Sequence, residues 1–266
     1  MFVAQISWQV PATSTPAQLD EISYSLLAAL RKNGQITNGD WPFSFAVPEV
    51  IAISGRYLQT FVIILAPDAL DSKYANKYVR KEIATAIEWG FSAPQIEIIG
   101  ESPGISEGTI CNCQPSSYIL YTHYLEIGSP VKCGNCFAHV PLYLLPKTYD
   151  GDEYYDILMW ERDYRACDTL QMHCKTGERF GIRQMSDVRS SLAKQGREIS
   201  DRLTALTGKP TYYYLYRYKL RTNIIKEKQR RCPNCDREWL VENKWHQFDF
   251  KCDWCRLVSV LSCTIT

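Results

Sequence analysis

The sequence predicts an α+β protein, and three observations carry that expectation. Over residues 1–100, short strand-like runs alternate with two stretches of helical periodicity. Over residues 101–150, paired cysteines flank a hairpin-like run, and over residues 151–266, helical stretches lead into a tyrosine-rich strand and a second set of paired cysteines. These three spans are the expected domains.

In chain order, FVAQISWQ at residues 2–9 alternates as a strand does. After Ser14, Thr15 and Pro16, the apolar residues Leu19, Ile22, Leu26, Leu27 and Leu30 recur at helical spacing until Asn33 and Gly34 stop them. AVPEVIAIS and YLQTFVIILAP read as two strands turning at Gly55. A helix is expected from Ser72 to Trp89 with a stop at Gly90, and QIEIIG closes as a strand. The order β, α, β, β, α, β is that of a ferredoxin-like sandwich, with ESPG at 101–104 as the linker that leaves it. From Tyr155 onward, Ile157, Trp160, Tyr164, Cys167 and Cys174 share one face of a long helix. That face is expected to be buried, with Cys167, Cys174 and Cys263 as small core residues. Another helix runs from Ser190 to a glycine stop at Gly208, and KPTYYYLYRYKL follows as a strand.

With 266 residues and 45% hydrophobic composition, the chain can bury a core without covalent staples. The opening MFVAQISWQV lacks a basic n-region, an apolar h-region and a small-residue cleavage site, and no apolar run approaches the ~20 residues of a membrane span. A cytoplasmic protein without membrane association is expected. Eleven cysteines is an odd number, and in a reducing compartment thiols persist unless a metal claims them.

Cys232, Cys235, Cys252 and Cys255 have the spacing of two Cys-x-x-Cys turns around a short hairpin, with Trp239 and Leu240 on the outgoing strand and Phe248 and Phe250 on the return. Each turn can deliver two thiolates to one ion, and two turns complete a tetrahedral site with sulfurs about 2.3 Å from zinc. Cys111, Cys113, Cys133 and Cys136 form a second quartet whose first pair is one residue tighter. His123 and His139 could replace one thiolate there, but packed or solvated imidazoles account for them better. An α/β region carrying two zinc ribbons, with two structural Zn2+ ions, is therefore expected to follow the N-terminal sandwich. Four sulfurs close a coordination sphere, whereas a catalytic zinc keeps one position open. Symmetrical pairs also differ from the single Cys-x-x-Cys of a thioredoxin-like redox centre.

Other candidate chemistry is thin. GISEG at 104–108 matches the Gly-x-Ser-x-Gly elbow, but Cys111 follows where the elbow requires a helix, so Ser106 reads as a loop residue. Consecutive residues on a helix point about 100° apart, so His173 and Cys174 cannot pair as base and nucleophile. Asp156, Glu161, Asp163 and Asp168 read as a solvated helix face, and no glycine-rich phosphate loop is present. No enzyme is expected.

The strongest binding signal precedes the second ribbon. Arg217, Lys219, Arg221, Lys226, Lys228, Arg230 and Arg231 crowd a segment opposed only by Glu227, directly after Tyr212, Tyr213, Tyr214, Tyr216 and Tyr218. Basic side chains neutralise phosphates and exposed rings stack on bases, which together would form a nucleic-acid footprint. Against it, a tyrosine-rich strand is ordinary sheet core and the net charge is only +1, so Tyr216 is expected to be buried.

Cys111-Asn-Cys113, SPVKCGNCFAHVPLYLLP, WERDYRACDTLQM, GKPTYYYLYRY, RRCPNCDREWL and FDFKCDWCRLVS together resemble a bacterial zinc-ribbon-containing family, domain of unknown function 2310, for which nucleic-acid binding has been conjectured. The resemblance runs from about residue 100 onward and more loosely over the N-terminal third. It implies two ribbons, the same eight cysteines as ligands and no catalytic residue. The expected function is thus a non-enzymatic zinc-ribbon protein that binds nucleic acid through the basic segment. The alternative is a protein-binding inhibitor or adaptor, such as an immunity protein neutralising a bacterial toxin, which Trp41, Trp245 and Trp254 would suit.

Overall fold

Thr15 begins the first helix because its side chain accepts from the Gln18 backbone N–H, Gln18 reaches back to the Thr15 N–H, and Pro16 fits the first turn. In the computed structural model, strand β1 (Phe2–Gln9) precedes this helix, α1 (Pro16–Lys32). Strands β2 (Ala52–Ser54) and β3 (Tyr57–Ile64), helix α2 (Lys77–Glu88) and strand β4 (Gln95–Glu101) follow. The structure describes residues 1–37, 52–54, 57–101, 110–218 and 223–262. Trp41, Gly55, Ser106, Lys219, Arg221, Cys263 and most of AVPEVIAIS lie outside them.

The four strands form a sheet in the order β2-β3-β1-β4, and every pairing is antiparallel. Ala4, Ile6 and Trp8 of β1 alternate inward and join Leu19, Ile22, Leu26, Leu27 and Leu30 of α1 in one core. Helix α2 starts later than its periodicity suggests. Ser72–Tyr74 is a separate 3-10 turn, Ala75 is extended, and Asn76 supplies the cap by accepting from Val79 N–H at 2.9 Å. Residues 127–129 and 139–155 belong to this unit as well. Tyr143 packs on Tyr74 with centroids 4.5 Å apart, and the Tyr154 N–H donates to the Lys32 carbonyl.

The second unit comprises residues 111–126, 130–138 and 156–266. Its strands are β5 (Tyr118–Leu120), β6 (Val131–Cys133), β7 (Thr211–Tyr214), β8 (Leu240–Trp245), β9 (Phe248–Cys252) and β10 (Leu257–Ser259). They form one sheet in the order β6-β5-β7-β10-β9-β8, in which β7 runs parallel to both neighbours. The two cysteine hairpins are therefore the two flanks of a single sheet, joined by β7. Tyr212, Tyr213 and Tyr214 on that central strand are all buried, so these rings are core and not a stacking platform. Tyr216, just beyond, is only half-buried, and its hydroxyl meets Gln171 Oε1 at 3.3 Å.

Helices α3 (Tyr155–Met172), α4 (Glu178–Ser186), α5 (Ser191–Thr207) and α6 (Ile224–Lys228) complete the order. Helix α5 runs from the Ser190 cap to Gly208, whose φ of 68° is a conformation that glycine adopts without the Cβ penalty. On α3, Ile157, Trp160, Tyr164 and Cys167 are buried as the periodicity implies. Two expectations fail on the same helix. Glu161 and Asp168 are buried and not solvated: Glu161 lies 3.9 Å from Arg165, and Asp168 accepts from Tyr124 N–H at 2.7 Å and Gln171 Nε2 at 3.0 Å. Cys174 is exposed, because α3 ends at Met172 and the chain has turned out of the helix by that point. Among the described residues, no helix is long and apolar enough to cross a membrane.

Candidate metal centres

Each Cys-x-x-Cys pair is set by a turn with one geometry. The residue four beyond the first cysteine takes a positive φ: Phe137 (59°), Asp236 (59°) and Arg256 (50°). In the first two turns its N–H donates to the carbonyl of the leading cysteine, at 2.8 Å for Cys133 and 2.9 Å for Cys232. The leading cysteine in turn donates to the residue five beyond it, Ala138 or Arg237, at 2.9 Å in both cases. The turn also aims backbone N–H groups at sulfur: Asn135 to Cys133 Sγ at 3.3 Å and Cys255 to Cys252 Sγ at 3.4 Å. Such donors favour the thiolate form.

Across each hairpin the turns meet. The sulfurs of Cys111, Cys113, Cys133 and Cys136 all lie within 4.8 Å of one another, and so do those of Cys232, Cys235, Cys252 and Cys255. Cys113 Sγ is 3.4 Å from Cys111, 3.5 Å from Cys133 and 3.8 Å from Cys136, and Cys235 is 3.6 Å from Cys252. Tetrahedral zinc with Zn–S near 2.3 Å separates its sulfurs by about 3.8 Å, so both quartets fit such an ion. His139 instead makes a buried contact to the Ser129 carbonyl at 3.0 Å, and His123 lies 3.8 Å from Glu126. The Cys111 and Cys113 pair departs from the shared turn: a single spacer residue places the two sulfurs 3.4 Å apart, and Cys113 is exposed. At Cys235, burial works to raise the thiol, but the Arg237 backbone N–H and the neighbouring sulfurs outweigh it and bring the value down to about 7.

The spacer residues, which spacing arguments leave blank, hold the turns in place. Asn135 Oδ1 accepts from the backbone and hydroxyl of Ser116 at 2.9 and 2.8 Å. Asn234 donates to Cys255 Sγ at 3.2 Å and accepts from Arg197 at 3.3 Å. Gly134 must be glycine, since a Cβ would meet Ser117 Oγ at 2.0 Å. Its carbonyl receives Trp245 Nε1 at 3.0 Å and faces His246 Nε2 at 2.8 Å, while His246 stacks on Phe137 at 5.2 Å. The tip of the β8–β9 hairpin thereby docks on the knuckle of the other quartet.

The basic segment divides into separate roles. Glu227 is buried and accepts from Arg217 at 2.7 and 2.6 Å, with Arg230 Nε 3.3 Å away. Arg230 also lies over the rings of Trp239 and Phe250 at 4.7 and 4.3 Å and donates to Ser259 and Val260. Arg231 pairs with Glu238 at 3.2 Å, and Lys226 and Lys228 are exposed. Trp254, between two cysteines of the second quartet, is 70% exposed, with the Arg237 guanidinium 4.1 Å above its ring.

Fold and site together define a mixed α+β protein with two four-cysteine clusters able to hold metal. Residues 112–216 match a family described as Domain of unknown function (DUF2310), residues 221–265 match Domain of unknown function (DUF8594), and residues 1–100 match Domain of unknown function (DUF8589). Two Haemophilus influenzae proteins, each described as an uncharacterized protein, are similar. One is 34% identical over 233 residues, covering 87% of both chains, and the other is 35% identical over 196 residues, covering 71% of this chain and 95% of the relative. The chain belongs to this family of bacterial proteins, which carries the DUF2310 domain. No solved structure matches it.

Proposed function

We propose that this chain is a non-enzymatic, zinc-stabilised binding protein whose contact surface is the C-terminal knuckle and whose partner is a protein. The observation that carries it is Trp254. A 70% exposed indole, stacked by Arg237 and fixed between Cys252 and Cys255, is a rigid apolar anchor of the residue types that dominate interfaces. The four-sulfur sets support structural zinc, because a closed sphere offers no site to substrate and thiolates select zinc over harder cations. Both sets read as zinc ribbons, and the antiparallel order β2-β3-β1-β4 supports a ferredoxin-like sandwich in the N-terminal unit. The described cysteines are all free thiols, which suits a cytoplasmic protein. An inhibitor that neutralises a toxin is one form of this reading.

Nucleic-acid binding through the basic segment loses ground to it. Arg217 and Arg230 are committed to Glu227, which leaves Lys226, Lys228 and Arg231, the last in a surface pair with Glu238, as the exposed cations of the segment's described residues. Affinity capture from a native lysate with and without nuclease separates the two. The expected result is a defined protein retained after nuclease and lost with Trp254→Ala at unchanged zinc content. Capture that nuclease abolishes, or that Trp254→Ala leaves intact, contradicts the proposal.

A further inference from the structure

The N-terminal unit contains an apolar groove of about 540 Å³, bounded by α1, α2, β1 and the start of β4. Its volume lies within the roughly 300–1,000 Å³ of small-molecule sites, which are typically apolar with a few placed polar groups. Helix α2 shows why the groove is open. Val79 and Ala86 are buried, but Ile83 is half-buried and Ile87 is 49% exposed, and Ile96 on β4 is 46% exposed. Neighbouring isoleucines left in water by an otherwise well-covered core mark a surface that receives something.

The lining is polarised along α2. Ser72 and Arg80 lie toward the N-terminal end of the helix, whereas Ile83, Ile87 and Ile96 line the other end. Arg80 and Ile87 are seven residues apart, which is roughly 10 Å along a helix. At the polar end the charged lining residue is Arg80, and the acidic Asp71 beside Ser72 is paired with Lys73 at 3.1 Å. Lys77, Arg80 and Lys81 open the helix with no acidic residue in its first turn, and while Lys77 pairs with Asp152, Arg80 is exposed at the groove. A helix N-terminal region with added cations favours an anion.

We propose that this groove binds an amphipathic carboxylate: a medium-length acyl chain whose carboxylate meets Arg80 and whose tail covers Ile83, Ile87 and Ile96. The site is independent of both cysteine clusters and of the binding surface at Trp254.

The test is calorimetric titration of the full chain with decanoate and, in parallel, with decanol. One saturable decanoate site is expected. Arg80→Ala should weaken decanoate about fivefold, the size of one partly exposed ion pair, and shift decanol by less than about twofold. Ile87→Glu should remove binding of both. Arg80 and Ile87 are exposed, so an unchanged melting temperature certifies that each variant is folded. The proposal is overturned by absence of saturable decanoate binding, or by equal decanoate affinity in wild type and Arg80→Ala. It is equally overturned if light scattering shows a dimer that Ile87→Glu dissociates, since a second copy would then be the occupant.

Discussion

Replacing Cys232 with Ser is expected to unfold the C-terminal ribbon and lower bound zinc from two ions per chain toward one. Cys232 is buried and leads the knuckle that Arg237 and Asp236 close through backbone bonds; the substitution keeps those bonds and removes one of the four sulfurs. Within the hairpin itself, Trp239, Phe248 and Phe250 are the large buried side chains. Structural zinc contributes apparent free energies of about 10–16 kcal/mol in small ribbons, far more than three aromatic rings supply in a sheet of this size. The damage should spread to β10 and β7, because the Tyr213 backbone N–H donates to the Arg256 carbonyl at 2.8 Å. Limited proteolysis followed by mass spectrometry should show new cleavage between residues 229 and 262. Unchanged zinc content and an unchanged digest would contradict this account of the ribbon.

The second large effect is expected at Glu227. In Glu227→Gln the two guanidinium groups that share the carboxylate lose their counter-charge within a partly buried cluster. Breaking such a pair costs about 3–5 kcal/mol, which corresponds to a melting temperature lower by roughly 10 °C for a unit of this size. The pH dependence follows from the Glu227 carboxyl. Burial tends to raise it, but Arg217 and then Arg230 outweigh burial and hold it below the usual carboxylate range. A depressed value means that the stabilisation is present above the unfolded pKa, near 4.5, and is lost as pH falls through the lower folded value. Wild type and Glu227→Gln should therefore differ fully at pH 7 and converge in acid, as thermal melts at several pH values would show. A constant difference down to pH 3 would mean that the charge of Glu227 is not what matters.

The segments with one dominant local signal were legible in the sequence. Thr15, Pro16 and Gln18 set the start of α1, Ser190 and Gly208 bound α5, and the spacing of eight cysteines named the two groups that the fold gathers. What stayed hidden depends on distant partners. Glu161 and Asp168 look solvated by type, and only the packing around α3 shows that Arg165 and the Tyr124 backbone accompany them inside. The basic run looked uniform because charge counting cannot reveal that one buried glutamate takes up Arg217 and Arg230. Asn135, Asn234 and Gly134 were mere spacers until the knuckles were folded, although an Asn before the second cysteine in both CGNC and CPNC was a repeated signal. Nor did the two hairpins announce that they share one sheet, since the parallel pairings of β7 join strands over ninety residues apart in one case and over forty in the other.

Two four-cysteine clusters able to hold metal sit on opposite flanks of one sheet, and the central claim is that zinc fills both. Its most direct test is elemental analysis of the full chain purified under reducing conditions without added metal, paired with thiol counting in the native state. Two zinc ions per chain are expected, with eight cysteines protected from thiol reagents until a chelator is added. Zinc near zero with all eight cysteines freely reactive would contradict it.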